Sequence, residues 1–351
     1  MTPGSMLPVS GVYQPVFDHL ERLTDDRGLF EHALLTVPRR EHGYCVDDAA
    51  RGLVVTCREP EHGPARRLAR TYLAFVLDAL DPAGACHNRM ADDGQWRDEA
   101  AVGDWWGRAL WGLGVAAASA QTPGMRARAL GGFRLAAQCR SPHLRPMAFA
   151  ALGAAEVLRT RPDEIAARQL LADVLAAIGE PAYDDSRWPW PEERLSYGNA
   201  SIAEALIVAG DALSNAPALD RGLELLEFLL RTETRDGHLS VTPVGGRGPR
   251  DIDPSDAGPG YDQQPIEVAA LADACASAFR ITCQSSWLAG VLLAWDWFLG
   301  DNDSATPMFD PRTGGGYDGL ERHGRNFNQG AESTLAMLAT AQRARQLSEL
   351  D

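Results

Sequence analysis

Carboxylates, amides and aromatic rings recur in five short clusters along the chain, each leading into an Ala- and Gly-rich apolar run. The clusters read His42-Gly-Tyr44-Cys-Val-Asp47-Asp48, Gly103-Asp104-Trp105-Trp106-Gly107-Arg108, Tyr197-Gly-Asn199, Tyr261-Asp262-Gln263-Gln264-Pro265-Ile-Glu267 and Asn328-Gln329-Gly-Ala-Glu332-Ser333. At a helix start, Asp and Asn satisfy free N–H groups and suit the positive end of the dipole, so Asp262, Asn199 and Asn328 read as caps and Pro265 as a first-turn residue. Glu267 and Glu332 fit that account less well. Each sits a turn inside an apolar run, where a charge needs a partner or a solvated pocket. Gln264 with Glu267 at i, i+3 and Asn328 with Glu332 at i, i+4 would each share a helix face.

Carboxylates gathered around one axis would suit cleavage of a glycosidic bond, in which one acid protonates the leaving oxygen and the other activates water or attacks carbon. Asp104 with Glu267 is the first such pair, and Asp48 with Glu332 the second. A separation of about 6.5 to 9.5 Å would mean inversion and about 5 Å retention. Flat sugar faces stack on aromatic rings, which Tyr44, Trp105, Trp106, Trp188, Tyr197 and Tyr317 could supply. Asp47, Arg108, Asn199, Gln263, Gln264, Asp318, Asn328 and Gln329 would bond hydroxyls. The run Thr313-Gly-Gly-Gly-Tyr317-Asp318-Gly319 is turn chemistry first and a close approach of backbone to ligand second.

Other chemistries find little support. The eight histidines are dispersed without an HExxH pattern, so no metal is expected. There is no GxSxG elbow, and Gly245-Gly-Arg-Gly248 lacks the Lys-Ser/Thr of a phosphate loop; no cofactor is expected. The acidic loop 251 to 256 lacks EF-hand spacing and reads as solvated. With 33 Lys and Arg against 48 Asp and Glu, a net charge of −15 argues against nucleic acid and anionic membranes as partners. No apolar run approaches a membrane span and no signal peptide is visible, which points to a cytoplasmic protein with free thiols at its six cysteines. The expected partner is an oligosaccharide or glycoside; oligomeric state is left open.

Positioning these clusters falls to helices. Apolar segments with helical period run from end to end, while alternating strand patterns are nearly absent. The spacing predicts twelve: 13 to 23, 44 to 58, 64 to 80, 103 to 120, 124 to 139, 144 to 160, 163 to 179, 199 to 214, 217 to 232, 263 to 281, 284 to 300 and 328 to 346. Those starting at 64, 124, 163, 217 and 284 are amphipathic and suit an outer layer; those starting at 103, 144, 199, 263 and 328 look buried all round and suit an inner ring. Connections from inner to outer segments are a few residues long. Those from outer to inner are long, except at 140 to 143, so the long loops should gather on one rim above the inner helix starts. The expectation is an all-α (α/α)6 barrel in a single domain, 1 to 351, with the first helix pairing with the last and a polar pocket at the inner helix starts. The Pro/Gly-rich stretch 243 to 260 is the one candidate linker.

The chain resembles the six-hairpin glycosidases, the (α/α)6-barrel superfamily that includes mannosidase, glucanase and unsaturated-glucuronyl hydrolase families. More narrowly, HGYCVDDAARGL, GRALWGLG, YGNA, DQQPIEVAALADA and TGGGYDGLERHGRNFNQGAESTLA are similar to motifs of a bacterial group described as glycosyltransferase-associated. The resemblance spans nearly the whole chain and implies a barrel site for glycans, mannose-containing ones among them; no catalytic residue is carried over. Departures from the group at Ala49, Trp105, Trp106 and Gly198 line the expected pocket. The leading expectation is a glycoside hydrolase. The alternatives are a non-catalytic glycan-binding protein and a sugar epimerase, although epimerisation commonly uses pocket histidines and none lies inside the inner segments.

Overall fold

The computed structural model describes residues 13–59, 61–251 and 258–348. Twelve α-helices follow in order: α1 (Asp18–Arg22), α2 (Val46–Cys57), α3 (Gly63–Asp78), α4 (Asp104–Ser119), α5 (Pro123–Ala136), α6 (Leu144–Thr160), α7 (Ile165–Ala177), α8 (Asn199–Leu213), α9 (Ala216–Thr232), α10 (Pro265–Thr282), α11 (Ser286–Leu299) and α12 (Ala331–Ser348). The even-numbered helices pack side by side from α2 to α12, and α12 returns to α2, closing an inner ring; each odd-numbered helix packs outside. The (α/α)6 expectation holds.

Burial separates the two layers. In α3 the buried positions Ala65, Leu68, Ala69, Tyr72, Leu73, Phe75 and Val76 form one stripe, as one apolar face requires. In α8 every residue from Asn199 to Gly210 is buried. The Pro/Gly-rich stretch lies between α9 and α10 of the same ring, with part of it, and most of the acidic loop 251 to 256, outside the described residues.

Three elements differ from the sequence expectation. The outer member of the closing pair is short: only Asp18–Arg22 is helical; it packs on α12, and His19 Nε2 lies 2.8 Å from the Gln329 carbonyl just before that helix. The long loops also carry two-stranded antiparallel ribbons: β1 (Ala33–Leu34) with β2 (Val37–Pro38), β3 (Tyr44–Cys45) with β4 (Arg89–Met90), β5 (Thr234–Arg235) with β6 (His238–Leu239), β7 (Phe309–Asp310) with β8 (Gly315–Gly316), and β9 (Gly319–Glu321) with β10 (Gly324–Asn326). Two or three residues are too few to show a period-2 pattern. The third difference is that no cap expected at an inner helix forms. Gly198 and Gln264 hold the N-cap positions of α8 and α10, neither with a side-chain cap bond. Asn199 Oδ1 instead accepts from Ser196 N, and Asn328 Oδ1 from Leu35 N. Pro265 does open α10.

The inner seam between α4 and α6 depends on glycine. A Cβ at Gly114 would lie 2.2 Å from the Gly153 carbonyl oxygen, and one at Gly153 would lie 2.1 Å from that of Leu110. Backbone cannot yield as a side chain can, so Gly114→Ala should cost about 1–3 kcal/mol and lower the thermal midpoint measured by calorimetry. Gly131→Ala on α5, where a Cβ meets nothing within 4 Å, should be neutral or mildly stabilising. An unchanged midpoint in Gly114→Ala would contradict this seam.

Candidate functional site

Arg51, one turn into α2, organises the long-loop end of the ring. Its Nη1 donates to Glu332 Oε2 at 2.8 Å, and its Nη2 donates to Asp48 Oδ1 at 2.6 Å and Asp47 Oδ2 at 3.1 Å. Arg108 on α4 adds an ion pair at 3.1 Å to Asp47 Oδ1 and lies over the Phe149 ring at 4.5 Å. These contacts split the carboxylates. Burial pushes Asp48 up to about 7 against the pull of Arg51. Burial also works to raise Glu332, but Arg51 and Arg108 outweigh it and hold Glu332 below its ordinary value. Glu332 keeps 41% of its side-chain surface open because it borders the axial cavity.

The other pair is joined through consecutive residues of the loop before α8. The Tyr197 hydroxyl donates to Asp104 Oδ2 at 2.8 Å, and the Gly198 N–H donates to Glu267 Oε1 at 2.6 Å. Gly198 is left-handed, with φ 55°, a conformation glycine adopts at little cost. Asn199 N also points at Glu267, 3.4 Å from Oε2, so a carboxylate from α10 serves the free N–H groups that open α8. Burial pushes Glu267 up to about 7, opposed by the Gly198 amide. Burial and then Asp104 push the Tyr197 phenol up to about 12. Arg145 braces the loop, with Nη1 on Glu192 Oε1 at 2.6 Å and Nη2 on Asn199 Oδ1 at 3.2 Å.

Several residues expected to bind sugar are committed elsewhere. Trp106 is fully buried, with Nε1 on the Ala136 carbonyl at the end of α5. Trp188 is fully buried, edge-on to Phe228. Neither offers a free face to a ligand. Tyr44 is buried, stacked on Phe30 and bonded to Asp25. Gln263 is buried and holds Trp297 Nε1 and Asp303. Gln329 is buried beside α1, and Trp105 Nε1 donates to the Cys86 carbonyl. Asp318 Oδ1 accepts from Gly330 N, and Tyr317 lies under Arg325 at 3.9 Å. The glycine run forms β8 and packs on α12, so its close approach is to the protein's own helix.

Sequence reasoning missed Arg51 and Arg145, and it missed His32, whose ring meets that of His42, the first residue of the first cluster, edge-on at 5.0 Å on the loop before α2. Arg51 was readable from its i, i+3 and i, i+4 spacing to Asp48 and Asp47. It also missed a second buried charge cluster further along the axis, where Arg58 Nη2 and Arg343 Nε bond Asp273 Oδ1 at 2.8 and 2.5 Å and Glu204 bonds Ser277. These are charges inside apolar helices, the signal already recognised at Glu267 and Glu332.

At the inner helix starts, where a polar pocket is expected, the enclosed space is small. Beneath the rim carboxylates the axial space is about 50 Å³, bordered by Arg51, Arg108, Phe149, Gly198 and Glu332, well under the roughly 300 Å³ of a small-ligand pocket. The larger cavity, about 1030 Å³, opens at the opposite end. At the long-loop end Tyr197, Phe327, Leu34 and Leu35 are exposed. Glu31, Cys45 and Asp48 each bring one donor atom within 4.8 Å of the others, but Glu31 pairs with Arg89, Asp48 with Arg51, and burial holds the Cys45 thiol protonated.

No family model and no curated protein matches the sequence. Solved structures do match. A sugar epimerase from a ruminal bacterium superposes with a TM-score of 0.68 at 12% identity, covering 95% of this chain and 97% of that one. Cellobiose 2-epimerase from Bacillus thermoamylovorans gives 0.68 at 12% identity, over 95% and 96% of the two chains. An alpha-mannanase from Bacteroides thetaiotaomicron gives 0.64 at 10% identity, over 94% and 93%. The chain thus has a six-hairpin (α/α)6-barrel fold. The epimerases and the mannanase share that fold. No helix among the described residues is long and apolar enough to cross a membrane.

Glu267 gives the site a pH signature. Its folded pKa of about 7 lies above the ordinary 4.5, so the stability it contributes is complete below the ordinary value and lost as pH rises through about 7. Glu267→Gln does not titrate. Its urea midpoint should therefore improve relative to the parent as pH is raised from about 5 to about 8; a pH-independent difference would refute the assignment.

Proposed function

We propose that the protein is a carbohydrate-processing enzyme acting at the long-loop rim, with hydrolysis of an oligosaccharide as its first activity. The observation that carries this reading is the division of labour among the rim carboxylates. Glu332 is open to the axial space and held ionised by Arg51 and Arg108, which suits activation of water or attack on an anomeric carbon. Asp104, bonded to the exposed Tyr197, is the partner carboxylate. Glu267 and Asp48 are buried and already bonded, so they position the first two. Tyr197 and Phe327 offer rings against which a sugar face can lie. The solved structures of like fold include an inactive variant of an alpha-1,6-mannanase from Salegentibacter in complex with alpha-1,6-mannotetrose, at a TM-score of 0.65 and 9% identity, which makes mannose-containing glycans the first substrates to try.

Epimerisation is the second reading, favoured by His32 and His42. The loop before α2 holds them, and His32 adds to the charges that lower Glu332, so this loop could supply an imidazole where the inner helices supply none. A panel of mannosides and glucosides distinguishes the two: release of new reducing ends supports hydrolysis, and solvent deuterium in an intact sugar supports epimerisation. Glu332→Gln and Asp104→Asn should each lower hydrolysis about 10²- to 10⁴-fold with the fold retained by circular dichroism. Full activity in both variants would remove the rim from the chemistry, and binding without turnover would leave a glycan-binding protein.

A further inference from the structure

At the end of the ring away from the long loops, the C-terminal halves of the six inner helices enclose the cavity of about 1030 Å³. Arg58 and Arg343 stand over its floor and share the single carboxylate of Asp273. Glu204, the next acid, is pushed toward its neutral form by burial and by Asp273. The Arg58 side chain is only 9% exposed, yet its Nη1 has no hydrogen-bond partner. Arg168 and Arg280 also border the cavity. The Arg168 contact is a long one, 3.4 Å to the Pro162 carbonyl. Arg58, Arg159, Arg168, Arg280 and Arg343 border the cavity against the acids Glu156, Glu204 and Asp211, an excess of positive charge that, in a chain of net charge −15, suits an anion.

Cations near helix C-termini can simply serve the dipole or the last carbonyls. Among the described residues, however, neither Arg58 nor Arg343 donates to a main-chain carbonyl: Arg58 bonds Asp273, and Arg343 bonds Asp273 and Gln346. Guanidinium forks match phosphate oxygens, and a desolvated guanidinium lacking a partner is a ready donor. Trp111 and Phe279 on the walls would cover an organic moiety. We propose that this cavity binds a small phosphorylated compound, with its phosphate against Arg58 Nη1 and Arg343 and its approach guided by Arg168 and Arg280.

Isothermal titration of the full chain with glucose 6-phosphate, inorganic phosphate and citrate tests the site. Saturable binding of the phosphate ester is expected, weakened about tenfold by Arg58→Gln and by the double variant Arg168→Gln/Arg280→Gln, and unchanged by Glu332→Gln at the rim. The double variant alters exposed residues only, so it decides the matter if Arg58→Gln does not fold. No saturable binding, or equal affinity in the parent and the double variant, overturns the site; tighter binding of citrate than of either phosphate overturns the assigned ligand.

Discussion

The ring of inner helices begins and ends at Arg51, whose Nη1 reaches Glu332 on α12 while Nη2 holds Asp48 and Asp47 on its own helix α2. A buried ion network of this kind adds little net stability, because desolvation offsets most of the Coulomb gain, whereas deleting one member strands the others at a cost of about 3–5 kcal/mol. Its value lies in geometry and protonation. Sharing one guanidinium fixes the relative positions of the first and last helices of the ring. Burial pushes Asp48 up to about 7 against the pull of Arg51, while Arg51 and Arg108 hold Glu332 below its ordinary value, and carboxylates driven apart in this way are what acid–base chemistry uses.

Loop lengths made the barrel legible. Inner-to-outer links such as 120 to 122 and 214 to 215 can only turn a helical hairpin, while outer-to-inner links such as 300 to 330 are long, and alternation of the two around a ring admits few other arrangements. Composition sorted the layers, since the Ala- and Gly-rich runs proved to be the buried ones. The ribbons and the length of α1 were hidden for a different reason. Strands of two or three residues are too short to record a local period, and one of them, β3, is fixed by a partner distant in the chain, as Tyr44 is by Met90.

The candidate site was legible as a set of residues but not as a set of roles. The burial of Glu267 announced that it needed a partner; that the partner is the backbone opening a neighbouring helix depends on how α8 and α10 abut. The same misreading produced the expected caps. Asn199 and Asn328 carry cap chemistry, yet they bond Ser196 and Leu35, because loops folded over the helix starts were better placed than the first turns. Trp106 illustrates the limit for aromatics. Its neighbour Asp104 faces the rim, and a helix turns about 100° per residue, so the indole two positions on points out to α5 instead.

Small side chains explain why this barrel has two polar ends on one axis. Gly107, Gly114 and Gly153 let α4 and α6 approach until backbone meets backbone, and Ala dominates the other inner helices. Tight lateral packing leaves few large side chains to fill the middle, so axial space remains and polar groups facing it can be hydrated. Charges that would be intolerable at the helix seams are tolerated there: Arg51, Asp48 and Glu332 toward the long loops, Arg58, Asp273, Glu204 and Arg343 toward the short ones. Trp111, Leu152 and Glu204 border both cavities, forming a waist between them.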